Sequence, residues 1–138
     1  MKRSPADAGF TLVEILVIVA ILSLVAALSA PLLRKPPASA RLKADVTRLA
    51  AALRVTRAAA MVQNREMDFV LQSVPPTYAS PAIRVSPLDP SVEISTAQQI
   101  IRFFPNGQST GGDLRLRLDH AEARLQVVWA TGHVVVRP

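Results

Sequence analysis

The sequence predicts an α+β protein, with a long N-terminal helix followed by, and packed on, a C-terminal antiparallel β-sheet domain. Three observations lead there. Residues 10–33 read FTLVEILVIVAILSLVAALSAPLL, with Glu14 as the only ionisable side chain. Leu42, Val46, Leu49 and Leu53 then recur at intervals of four, three and four, the period of one helix face. From Met67 the period drops to two, which marks strands with one wet side. The expected division is a leader over 1–9, a transmembrane helix over 10–33, an amphipathic helical continuation over 34–64 and a β domain over 65–138.

The leader, MKRSPADAG, carries Lys2 and Arg3, which favour a cytoplasmic N-terminus. As a helix the apolar run would measure about 36 Å, enough to cross a hydrocarbon core of about 30 Å. Arg34, Lys35, Arg41 and Lys43 oppose that orientation from the far side, but long following domains cross largely regardless of charge. Glu14 is out of place in such a segment, at a cost of roughly 2.5 to 3.5 kcal/mol at the centre of a span and less near its edge. It needs a partner, either a neighbouring amino group or the positive end of its own helix. The competing reading is an ordinary secretory signal cut after Ser29, releasing a soluble domain. Glu14 argues against it, because a disposable leader has no use for a carboxylate.

Pro31, Pro36 and Pro37 lack amide donors and predict a bend or hinge beyond the apolar run. Ser39 is the expected cap of a renewed helix, whose second face carries Arg41, Lys43, Arg48 and Arg54. Ala51, Ala52 and residues 58–60 favour helix up to an end near Asn64. Met67, Phe69 and Leu71 open the strands. Between Val74 and Pro90 the prolines and serines predict irregular connections with at most short edge strands. Val92 with Ile94, residues 100–104, Leu114 with Leu116 and Leu118, Leu125 with Val127 and Trp129, and residues 134–136 complete an expected antiparallel meander. Asn106-Gly107, Gly111-Gly112 and Thr131-Gly132 supply the reversals. Trp129 is expected in the core.

Composition narrows the function. Hydrophobic residues make up 50% of the chain but aromatics only 4%, so the apolar content is aliphatic. The formal charge of +6 is spread from Arg34 to Arg137, as on a solvated basic surface. Without cysteine there is neither a disulfide framework nor a thiolate metal site. His120 and His133 stand in no metal-ligand spacing, and Asp113 and Asp119 flank a Leu/Arg alternation rather than a calcium loop. The serines lack a nucleophile-elbow context, and Gly107, Gly111 and Gly112 precede no GK[ST]. No catalytic, cofactor or metal site is expected.

Gly9-Phe10-Thr11-Leu12-Val13-Glu14, followed by the apolar run, resembles the class III signal of type IV pilins and type II secretion pseudopilins. The resemblance implies a pilin-like fold and cleavage after Gly9 by a prepilin peptidase, with methylation of the new terminus at Phe10. It implies that Glu14, fifth after the cut, pairs with the terminal amine of an adjacent subunit during assembly. Pro31 falls where many pilins carry a helix-bending proline. Cleavage would remove Lys2, Arg3 and Asp7 and lower the formal charge by one, from +6 to +5.

Residues 103–112, FFPNGQSTGG, and 128–134, VWATGHV, further resemble the H-type minor pseudopilin of type II secretion, a domain shared with a minor pilin of type IV pili. Residues 32–98 match no motif and are shorter than in longer members. The resemblance implies a structural subunit of a periplasmic pseudopilus, anchored in the bacterial inner membrane by a single pass with its C-terminal domain in the periplasm. Its partners would be other pseudopilins, the prepilin peptidase, the inner-membrane assembly platform and membrane lipid. The alternative is a type IV pilus minor pilin that touches nucleic acid through Arg102, Arg115, Arg117 and Arg124. Arg115 and Arg117 share a strand face, which is also a common way of keeping an edge strand soluble.

Overall fold

The computed structural model describes residues 11–29 and 36–137, and the chain divides into two compact units, Met1–Lys35 and Pro36–Pro138. The first contains α1 (Leu12–Ser29), which is apolar on every side, with large side chains exposed from 42% at Ile18 to 82% at Leu12. A helix without a polar face has no single side to bury against a domain of its own. Its 18 residues span about 27 Å at the α-helical rise. Among the described residues no helix is long and apolar enough to cross a membrane. The apolar run predicted over 10–33 extends past both ends of α1; Phe10, residues 30–33 and the bend expected at Pro31 lie outside the described residues.

The second unit opens with α2 (Ala38–Val62). Pro37, at φ −59° and ψ 152°, is its N-cap, and the Pro37 carbonyl accepts from the amides of Ala40 and Arg41 at 3.0 and 3.1 Å. The expected cap, Ser39, lies instead within the first turn, because Pro37 presets φ and starts the helix before it. The helix ends at Gln63, followed by Asn64 at φ 49°, with the Arg65 amide bonded back to the Ala60 carbonyl at 3.2 Å. This left-handed residue plus a six-to-one hydrogen bond satisfies a carbonyl that the helix leaves open.

Eight strands follow: β1 (Met67–Ser73), β2 (Pro76–Ser80), β3 (Ile83–Pro87), β4 (Glu93–Thr96), β5 (Ile100–Phe103), β6 (Gly112–Leu118), β7 (Ala121–Val127) and β8 (Val134–Arg137). They form two antiparallel four-stranded sheets, ordered β3-β2-β1-β5 and β4-β6-β7-β8. This corrects the expected single meander: β4 joins the second sheet and β5 returns to the first. It also corrects the Val74–Pro90 reading, since β2 is an internal strand. Its prolines do not break the ladder because Pro76 is the strand's first residue, Pro75 precedes it and Pro81 follows it.

α2 packs against both sheets through Leu42, Val46, Leu49 and Leu53, all at most 3% exposed. Met67, Phe69 and Leu71 meet this face from the first sheet, and Leu114, Leu116 and Leu118 from the second, all buried. The Phe69 and Tyr78 rings stack with centroids 5.7 Å apart. The free edge of β5 is covered by the next turn: Thr110 donates its amide to the Arg102 carbonyl at 2.9 Å, and its hydroxyl accepts the Arg102 amide at 3.1 Å.

Trp129 is a further correction. β7 stops at Val127, and the Gly132 amide closes a turn onto the Val128 carbonyl at 2.7 Å. The alternation that would have carried the indole inward therefore ends before it, and Trp129 stays 68% exposed.

Candidate functional site

At the start of α1, Thr11 acts as the cap. Its carbonyl and its hydroxyl accept the Glu14 amide at 3.0 and 3.2 Å. Glu14 is thus the third residue of the helix, where the free amides and the helix dipole favour a negative charge. Thr11 and Glu14 stand in capping-box spacing, so the same short sequence that starts the helix places the acid at its positive end. Among the described residues Glu14 has no ion-pair partner. Gly9, Phe10 and Pro31, the other residues expected to serve processing and assembly, lie outside the described residues.

The four arginines considered for nucleic acid do not form one patch. Arg115, Arg117 and Arg124 share the outer face of the second sheet, whereas Arg102 lies on β5 in the first. Each is paired. Arg102 reaches both Asp68 oxygens, at 2.6 and 3.0 Å, and Glu66 at 3.3 Å. The charge-assisted bonds from Arg102 hold the Asp68 carboxyl below its ordinary range, and the Arg102 pKa is raised in turn. Arg115 and Arg124 share Glu122 at 3.2 Å, and Arg117 binds Glu93 at 2.8 Å.

Two further networks organise the domain. Asp45, on the buried side of α2 and 1% exposed, accepts from Arg48 at 2.7 Å and from the Asp89 amide at 3.0 Å. Asp89 accepts from the Ser91 amide at 2.9 Å and from Arg41 at 2.7 Å, and these bonds, led by the one from Ser91, lower its pKa. Together they tie the first turns of α2 to the β3–β4 connection. At the other end of the helix, Arg57 donates to the Gly107 carbonyl at 3.0 Å. Gly132, at φ +63°, lies so close that an added Cβ would collide with that same carbonyl oxygen. Arg57 thereby holds the Asn106-Gly107 reversal to the helix, and the Thr131-Gly132 reversal packs closely on both. Sequence reasoning missed Asp45 and Arg57, although the paired glycine turns were visible. Among the described residues no cluster of three or more His, Cys, Asp or Glu could hold a metal ion.

The described residues form a capped apolar helix bearing one acid, and a helix-on-sheets domain. The prokaryotic N-terminal methylation motif matches residues 5–30, and the model of type II transport protein GspH matches residues 45–132, well over half of the chain. The chain belongs to the GspH family. It is 29% identical over 136 residues to the type II secretion system protein H of Xanthomonas campestris pv. campestris, covering 91% of this chain and 80% of that one. Two crystal structures of the type IV minor pilin FimU of Pseudomonas aeruginosa share its fold, with TM-scores of 0.61 and 0.60. At 13 and 14% identity they cover 70% of this chain and 88 and 92% of FimU, and this likeness speaks to fold alone. In this GspH-family chain the two matches meet the two units of the structure: the methylation motif spans α1, and the GspH match runs from within α2 to the last turn.

Proposed function

We propose that this chain is a minor pseudopilin, a structural subunit of a type II secretion pseudopilus that takes part in protein export across the outer membrane. The observation that carries the reading is the union, in one chain, of an N-terminal methylation motif at residues 5–30 and a GspH domain at residues 45–132. In this reading the prepilin peptidase cuts after Gly9 and methylates Phe10. The apolar run over 10–33 stays in the inner membrane as a single pass and later enters the fibre, with the second unit in the periplasm. Moving an apolar helix from lipid to an equally apolar bundle gains little burial, so selectivity falls to polar groups. Glu14, already seated at the positive end of α1, meets the amine of the adjacent subunit's Phe10, which the cut exposes. Its partners are the other pseudopilins and the inner-membrane assembly platform, and no catalytic step belongs to it.

Mass spectrometry of the protein recovered from membranes tests this reading. A chain that begins at N-methylated Phe10 is the expected result. A mature chain that begins at Ala30 and leaves the membrane fraction would end it. The minor-pilin alternative, with DNA contact through Arg102, Arg115, Arg117 and Arg124, requires those arginines to give up the carboxylates they hold.

A further inference from the structure

Among the described residues of the second unit, all the carboxylates but one are ion-paired. Every other carboxylate between residues 36 and 137 is ion-paired to an arginine, from Asp45 with Arg48 to Glu122 with Arg115 and Arg124. Asp113 has no such partner, in a chain whose arginines and lysines outnumber its acids by 16 to 10. Its neighbours on the same sheet face, Arg115 and Arg124, are occupied by Glu122. The exposed Asp113 carboxylate is thus left open to a cation from another molecule.

Trp129 stands at the same place. A cleft of about 460 Å³ is lined by Trp129, Asp113, Gln98 and Gln126, with Gly111 and Gly112 among its walls. Asp113 and Gln126 face each other across β6 and β7. The side-chain amides of Gln98 and Gln126 make no hydrogen bond among the described residues. Gly111, at φ +76°, lets the base of Trp129 come close: a Cβ there would sit 3.2 Å from the Trp129 Cβ. The folded domain leaves this ring 68% exposed.

We infer that the Trp129–Asp113 cleft is a docking site for an arginine side chain presented by a partner protein. The donor set fits a guanidinium: its flat face stacks on the indole, its N–H groups meet the Asp113 carboxylate, and the two amide oxygens accept what remains. Lysine fits less well, since a compact, strongly hydrated ammonium neither stacks nor forks. One carboxylate is too few for a metal ion, and an open surface cleft cannot enclose most of a free small amine, as small-ligand sites do. A protein surface closing over the cleft supplies the missing cover, with the aromatic ring and the arginine as the anchoring pair.

The experiment uses the full chain in the bacterium that makes it, with Ala97, an exposed residue at the rim of the cleft that takes no part in the proposed contact, replaced by the photoreactive residue benzoylphenylalanine. Cross-linked products are mapped by peptide mass spectrometry, and Asp113→Asn is compared with the parent. The attached segment is expected to carry an arginine, and Asp113→Asn to cut the yield about tenfold. Asp113→Arg combined with Asp at that partner arginine should restore it, while an unchanged melting temperature shows that the domain still folds. Attachment to a glycan, attachment to a segment without arginine, insensitivity to Asp113→Asn or the absence of any product would each overturn the assignment. The readout is independent of the mature N-terminus, so it stands or falls separately from the pseudopilin reading.

Discussion

Asp45 shows how much one side chain contributes here. It is a buried carboxyl on α2 that accepts both from Arg48 and from the Asp89 amide. Asp45→Ala would strand that amide in a part-buried site, and the expected cost is about 2 to 3 kcal/mol, read from urea unfolding followed by circular dichroism. Asp89 makes the pH dependence. Its folded pKa lies below the unfolded value, so its contribution is complete above the ordinary carboxylate range and is lost as pH falls through the folded value. Asp68 has the same sign, but its side chain is 38% exposed and solvent screens much of its pairing with Arg102. The unfolding midpoint should therefore hold from pH 7 to about 5 and drop below about pH 4. Asp89→Asn should be less stable at pH 7 and show a flatter acid loss; an unaltered profile would remove Asp89 from the account. None of this was legible in the sequence. Asp45 sits among ordinary polar helix residues, and its partner lies 44 positions away. The exposure of Trp129 was equally hidden, because it depends on where β7 ends.

Elements written by local periodicity were legible, and those defined by distant pairing were not. The stripe from Leu42 to Leu53 and the Leu/Arg alternation of β6 emerge as read, since each residue's side is set by its own neighbours. The exchange of β4 and β5 between sheets has no local signature. Nor does the internal position of β2, where proline content pointed to an edge. Two substitutions separate packing from turn geometry. Leu49 is fully buried at the middle of α2, and Leu49→Ala should cost about 2 to 5 kcal/mol in denaturant titration. Gly132→Ala acts on the loop before β8, where a Cβ meets the Gly107 carbonyl oxygen at a left-handed φ of +63°. Hydrogen exchange should show it loosening the start of β8 and the Asn106-Gly107 turn together, because Gly132 leads into β8 and packs on the Gly107 carbonyl that Arg57 holds; loosening confined to residues 131–134 would deny that link.

For the molecule as a whole, the question is whether a formal charge of +6 makes it a nucleic-acid binder. Affinity for phosphates comes from released counterions, and log K falls with log salt by about 0.9 per phosphate neutralised. An arginine already held by a carboxylate brings little of that gain, because the pair must open first. Arg115 and Arg124 share Glu122, and Arg117 holds Glu93, so on the outer face of the second sheet Arg137 alone is left without a carboxylate among the described residues. The detergent-solubilised chain should therefore give no gel retardation of duplex DNA at about 0.1 M salt, where the Debye length is about 10 Å. Glu93→Gln with Glu122→Gln removes the competing carboxylates and leaves Arg115, Arg117 and Arg124 beside Arg137, which faces the same way from β8. That variant should retard DNA at low salt and release it steeply as salt rises, with a slope of about −3.6 for four phosphates. Retardation by the unmodified chain with the same slope would mean that the ion pairs yield to phosphate, and would turn the reading toward the minor pilin.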